Sequence, residues 1–345
     1  MDRIGRIERI GKRPPRFAVY ALLLILILSP LLALLWMTAV PGRSHDGPLP
    51  PLTPHQMHIA DRLRDHVAII ARKPHNAAHP REMAAVASYI EEQLRQMGYA
   101  PRRQAIPDVP GTVNIDATLD PADPKAPMLV IGAHYDSYGA TVGANDNGSG
   151  TAATLELARA LADSRGKTRL RLRFLFFANE EPPYFQTERM GSMVYARALA
   201  GNGVRAAGMI SLETLGYYSD RKGSQHYPFP LSLLYPDTGN FVAFVGMVDS
   251  RAFVRATVGT FRDVAPFPSV GGSAPAFVQG IDWSDHWAFA QTGVPSLMVT
   301  DTAPFRYRYY HSEADTPGRL DYARLARVVD GLEHVLRKWA RTGRI

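Results

Sequence analysis

No cysteine occurs among the 345 residues, which excludes disulfide bonds and thiol catalysis. The absence does not choose a compartment, since disulfide-free exported proteins are common enough. Internal repeats are absent too, and nothing asks for a second folded domain. Acidic residues are the scarcer charge, 32 against 39 Lys and Arg, for a formal net charge of +7. That surplus invites a nucleic-acid or membrane partner until it is located. Residues 1–16 alone carry +4, from Arg3, Arg6, Arg9, Lys12, Arg13 and Arg16 against Asp2 and Glu8, and leave +3 for the rest. The body is only mildly basic, and a nucleic-acid partner has no support. Hydrophobic residues make up 46% and charged residues 21%, the composition of an ordinary folded protein able to bury a sizeable core.

Charge is missing altogether from FAVYALLLILILSPLLALLWMTAV, residues 17–40. As a helix these 24 residues reach about 36 Å, enough to cross a hydrocarbon core of about 30 Å. The preceding Lys/Arg cluster places residues 1–16 in the cytoplasm and the body on the periplasmic or extracellular side. A cleaved signal peptide is the rival reading, with small residues near Thr38 and Ala39, although its apolar region is typically only about 7–15 residues. The reading adopted is an uncleaved single-pass anchor. PGRSHDGPLPPL, residues 41–52, is rich in proline and glycine and reads as an extended tether. A single folded domain is then expected over 53–345.

In that domain apolar spacings of three and four predict helices over 54–71, 82–97, 149–162, 188–200, 250–260, 284–292 and 321–342. Short runs rich in Val, Ile, Leu and Phe predict strands over 112–118, 128–133, 169–178, 208–212, 241–247 and 296–299. The alternation implies an α/β fold, a largely parallel sheet covered on both faces. In such a sheet the ligand site lies at the carboxyl ends of the strands.

Titratable residues gather where that rule points. MLVIGA is followed by HYDS, with His134 and Asp136, and GANDNGSG puts Asp146 in a glycine-rich turn that opens a helix. LRFLFFA runs into Glu180 and Glu181, GMISL into Glu213, and the loop after the last strand carries YYHSEADT, with His311 and Asp315. Singly, each could be a hydrogen-bonded pair, a turn, a solvated corner or a helix cap. Their shared position at strand ends favours a common site. A two-zinc hydrolase asks for such a set: imidazoles and carboxylates on each metal, one bridging carboxylate, and an unligated base.

The segments GAHYDS, GANDNGSG, FANEE, SLETLGYYSD, SDHWAF and YYHSEADT, in this order, resemble the co-catalytic zinc exopeptidases of metallopeptidase family 28. That family includes aminopeptidases, glutamate carboxypeptidases and the related glutaminyl cyclases. The resemblance runs from about residue 53 to 342 and implies a three-layer αβα fold with a central, mostly parallel mixed sheet, and two zinc ions. Asp146 would bridge them, Glu181 and His311 would complete one, and His134 and Glu213 the other. Glu180 would be the general base toward a water bridging the metals, and Asp136 would hold the His134 ring. Asp285 and His286 match a family loop near the site with no fixed role, contact behind the ligands, oxyanion stabilisation and a plain helix start all being open. Glu213 departs from the Asp of many family aminopeptidases and matches the cyclases. The expected activity is removal of N-terminal residues from peptides; alternatives are a glutaminyl cyclase, a carboxypeptidase, or a non-catalytic interaction domain. Two long segments, 217–237 and 267–283, are candidates for pocket walls.

Overall fold

The computed structural model describes residues 16–345, without the side chains of residues 16, 18, 19 and 21–23. The basic segment expected in the cytoplasm therefore lies, but for Arg16, outside the described residues. The chain divides into two units, Met1–Ala39 and Val40–Ile345. In the first, the uncharged run forms helix α1, Arg16–Thr38, with Pro30 inside it. Among the described residues no helix is long and apolar enough to cross a membrane.

The second unit is α/β. Its helices are α2 (Pro54–Ile70), α3 (Pro80–Gln96), α4 (Gly150–Leu161), α5 (Gly191–Gly201), α6 (Arg251–Val264), α7 (His286–Gln291), α8 (Ala303–Arg306) and α9 (Tyr322–Thr342). Its strands are β1 (Arg102–Ala105), β2 (Val113–Leu119), β3 (Met128–His134), β4 (Arg171–Phe177), β5 (Ala206–Glu213), β6 (Val242–Met247), β7 (Ser269–Ala274) and β8 (Ser296–Thr300). They form one sheet in the order β1-β2-β4-β3-β5-β8-β6-β7. The central β4-β3-β5-β8 run is parallel, β6 pairs antiparallel with β8 and parallel with β7, and β1 and β2 are antiparallel at the other edge. The mostly parallel mixed sheet expected from the sequence is the one found.

Alternation along the central strands explains why they read as unbroken apolar runs. Leu129, Ile131, Leu172, Phe174 and Phe176 face the larger core, shared with α2, α3, α4, α6 and α9. Val130, Leu175 and Phe177 face the opposite layer with Tyr195 of α5 and Phe289 of α7. Both faces are covered, so neither can be polar. Capping sets the helix ends: Thr53 and Gln56 form a capping box ahead of α2, with Pro54 at its first position, and Gly343 closes α9 in the left-handed region.

Two strands escape sequence reasoning. β1 (RRQA) is charged and largely exposed, and β7 (SVGGSA) is rich in glycine. Pairing with β2 and β6 creates them against their propensity. The expected tether also differs from a free one. Residues 41–52 hold no helix or strand, but Arg262 donates to the carbonyls of Pro41 (3.0 Å) and Gly42 (2.9 Å). Ser44 Oγ accepts from Ser269 N at 2.8 Å, Arg327 donates to Pro50 O, and Leu49 packs on the core. Proline and glycine content sets the lack of regular structure but does not determine whether the backbone finds partners.

Candidate metal centre

Strand order reverses about β3, with β4 on one side and β5 on the other, and at such a switch point a crevice opens beyond the carboxyl ends. His134 is the last residue of β3 and Glu213 the last of β5, while Glu180 and Glu181 follow β4. Asp146 lies in an irregular wide turn, Ala144–Ser149, before α4, and its peptide bond to Asn147 is cis. Gly150 lets that turn close on β5, because a Cβ there would sit 2.2 Å from the Leu212 carbonyl oxygen. His311 comes from the loop after α8.

These residues meet. The two oxygens of Asp146 face different histidines: Oδ1 is 3.4 Å from His134 Nε2, and Oδ2 is 3.0 Å from His311 Nε2. His134 Nε2 is 3.3 Å from Glu213 Oε2, and His311 Nε2 is 3.4 Å from Glu181 Oε1. Zinc bonds of about 2.0–2.2 Å give a tetrahedron with edges of about 3.3–3.6 Å, so both trios are spaced to hold such an ion. His134 Nε2, His311 Nε2, Asp146 Oδ2 and Glu181 Oε1 are buried without a hydrogen-bond partner. Buried polar atoms are rarely left so, and two cations with Asp146 between them would satisfy all four. Glu180 is buried with its Oε2 3.8 Å from His134 Nε2; it belongs to neither trio, though it forms a further cluster with His134 and Glu181.

Asp136 stands behind the His134 ring and carries a second role as well. His134 Nδ1 pairs with the backbone carbonyl of Asp136 at 3.1 Å, and the carboxylate is farther, at 3.6 Å. That carboxylate also accepts the backbone N–H groups of Glu180 (3.1 Å) and Glu181 (3.2 Å), fixing the turn that carries both glutamates. Asp315 acts likewise on the other side, accepting from the N–H groups of Asn145 and Asp146 and from the Tyr307 hydroxyl. Ser284, unforeseen from sequence, donates to Glu213 Oε2 at 2.8 Å. Asn179, Thr214 and His311, which flank or supply these ligands, have φ of 59°, 44° and 56°. Strained backbone of this kind persists where its surroundings over-determine it, as at functional sites.

His311 is clasped between two aromatic rings, Tyr138 at 3.8 Å and Tyr310 at 3.9 Å, both nearly parallel to it. Burial, then Asp146, Glu181, Glu213 and Glu180, push the Tyr310 phenol far up, so it stays neutral. The only sequence signal for this pair was an aromatic residue beside each of HYDSY and YYH. Asp285 is buried beside the centre, pushed up to about 7 by burial and by the negative charge of Glu213 and Asp136 against the pull of His134; its side chain does not cap α7. His286 stays apart: its Nε2 pairs with the Ile281 carbonyl at 2.8 Å, and burial lowers it to about 4, leaving a neutral packing residue.

Without a cation the carboxylates are poorly matched to their burial. Desolvation and the repulsion of neighbouring carboxylates push Glu180 well above the carboxylate range, Glu181 up to about 8, and Glu213 upward. Asp146 goes the other way; burial opposes its charge, but the imidazoles of His134 and His311 beside its two oxygens hold it below the usual range. Burial disfavours protonation of the histidines, yet the carboxylates raise His134 well above its ordinary value and His311 to about 10. A folded Glu181 keeps its proton up to about 8 where the unfolded side chain loses it near 4.5. The stability tied to that proton is complete at low pH and is lost as pH rises through the folded value. Chelator-stripped protein should therefore melt at falling temperature between about pH 5 and pH 8, with the raised histidines acting in the same direction. Thermal melts across that window test this, and a flat or rising melting temperature contradicts it.

The model of peptidase family M28 matches residues 114–336. The chain belongs to this family. Over 269 residues this M28 protein is 40% identical to YfbL, an uncharacterised Escherichia coli protein, across 75% of its own length and 81% of that protein's. It is 27% identical to leupeptin-inactivating enzyme 1 of Streptomyces exfoliatus across 86% of this chain, and spans 65% of that enzyme's length. Among solved structures, the Legionella pneumophila LapA aminopeptidase superposes with a TM-score of 0.66 at 16% identity, over 86% of this chain and 78% of that one. The Porphyromonas gingivalis glutaminyl cyclase superposes with a TM-score of 0.60 at 20% identity, over 81% and 98%. These two likenesses are of fold, and the M28 architecture is shared by both kinds of enzyme.

Proposed function

We propose that the protein is a zinc-dependent aminopeptidase. The observation that carries this is the single carboxylate of Asp146, which presents one oxygen to each of two histidine–glutamate pairs. Glu181 and His311 would hold one zinc ion, His134 and Glu213 the other, and Asp146 would be common to both. Bound zinc supplies a Lewis acid for the scissile carbonyl and lowers the pKa of water toward about 7. Glu180, buried beside the ligands, takes the proton from the attacking water as the oxygen–carbon bond forms. It returns that proton to the amine as the carbon–nitrogen bond breaks, so it ends the cycle as it began. Relatives named leucine aminopeptidase 1 in two Trichophyton species support a peptide N-terminus as substrate. The test is a panel of aminoacyl chromogenic substrates beside a glutaminyl peptide, with and without chelator. Chelator-sensitive release of the N-terminal residue is expected; cyclisation of the glutaminyl peptide without aminoacyl hydrolysis sinks the aminopeptidase reading.

The catalytic domain would be held at a membrane by residues 17–40 and lie on the periplasmic or extracellular side. Support comes from the 24 uncharged residues and the six Lys/Arg before them.

A further inference from the structure

The surplus positive charge of the domain is not spread evenly. A surface groove of about 720 Å³ runs along the outer face of the last turns of α9, against the loop ahead of β4. Its walls carry Lys167, Arg169, His334, Arg337, Lys338 and Arg341. Some of that charge is spent within the protein: Arg337 pairs with Glu333 (2.7 Å) and Asp163 (3.0 Å), and Lys338 with Asp263 (3.4 Å). Lys167, Arg169 and Arg341 are exposed and form no ion pair among the described residues, Lys167 donating to the Asp163 carbonyl at 3.2 Å. The site thus offers two guanidinium forks and one ammonium, donors that suit phosphate oxygens.

Its position suggests the source of the phosphate. The last turn of α6 touches both the groove and the start of the domain. Val264 lines the groove and Asp263 pairs with Lys338, while Arg262 grips the carbonyls of Pro41 and Gly42. The groove and the first residues after the apolar run therefore flank one helical turn, about 10 Å across. We propose that this groove docks the domain on the phosphate headgroups of anionic phospholipids, at the bilayer from which the chain emerges. The inference rests on the anchor reading and adds a second, electrostatic attachment that fixes the orientation of the domain.

The unit Val40–Ile345 holds the whole sheet and core, and can be tested without the apolar run. It should co-sediment with vesicles of phosphatidylcholine containing phosphatidylglycerol, not with phosphatidylcholine alone, and added salt should release it. Each surface cation contributes roughly fivefold, so Lys167→Gln, Arg169→Gln and Arg341→Gln together should weaken vesicle binding about a hundredfold. Aminopeptidase turnover and melting temperature should stay at wild-type values in that variant. Vesicle binding indifferent to phosphatidylglycerol, or unchanged in the triple variant, overturns the proposal. So does a thermal shift with inorganic phosphate in the absence of any vesicle binding, which marks a free-anion site. Carbonate extraction of the full chain from membranes reads the anchor alone; release into the supernatant overturns the anchor and leaves the vesicle result to decide the groove.

Discussion

Glu180→Gln is expected to lower turnover by about 10²–10⁴-fold, the usual contribution of a general base, while zinc content stays at the wild-type level. The two effects separate because Glu180 stands farther from His134, at 3.8 Å, than the carboxylates of either ligand trio stand from their histidines, at 3.0–3.4 Å. Its backbone N–H still bonds Asp136 in the variant, so the turn carrying Glu181 is kept. An amide has the shape of the carboxyl group but cannot take up a proton near neutral pH. Glu181→Gln should behave otherwise, since its Oε1 is one of the buried atoms left without a partner and faces His311. That variant should lose zinc along with activity. Steady-state kinetics and elemental analysis of the two proteins side by side make the check, and wild-type turnover in Glu180→Gln would remove the residue from the reaction.

Sequence reasoning reached the convergence of these residues for a definable reason. Ligands in a parallel sheet sit at strand ends, and apolar runs such as LRFLFFA mark where strands stop. From the order of motifs alone, Glu180, Glu181 and Glu213 could be placed beside His134. What lay beyond reach depends on who meets whom in space. HYDS shows an Asp two residues from a His, but not that its carboxylate turns toward the Glu180 and Glu181 amides. Ser284 reaches Glu213 across 71 positions, and Asp315 reaches Asn145 across 170, with no local pattern to announce either. The ring clasp on His311 joins Tyr138 to a residue far along the chain. The strand β7 was hidden by its glycines, and the docking of residues 41–52 by a composition that speaks only to local stiffness.

Asp146 is the residue whose loss should cost most. Because its two oxygens serve different histidines, its removal acts on both histidine–glutamate pairs at once. Asp146→Ala removes both oxygens, and zinc should fall toward zero with activity below detection, a larger loss than the factor of about 10–100 typical of residues that only orient ligands. Asp146→Asn sharpens the test. Its amide keeps one acceptor oxygen and the hydrogen bonds that Asp315 makes to its backbone N–H, so the turn should persist while the negative charge is gone. Two cations held close together need that charge between them, and a neutral amide offers one oxygen where two were used. The expected result is a protein that folds, keeps at most one zinc per chain and is inactive. The metal-free variant supplies a further readout, because the histidines now lack the carboxylate that raises their pKa. His311 should titrate at lower pH than in metal-free wild type, visible by NMR of the imidazole. Two zinc ions per chain in Asp146→Asn, by elemental analysis, would refute the shared-carboxylate arrangement; a single tightly held zinc would instead identify which histidine pair can bind alone.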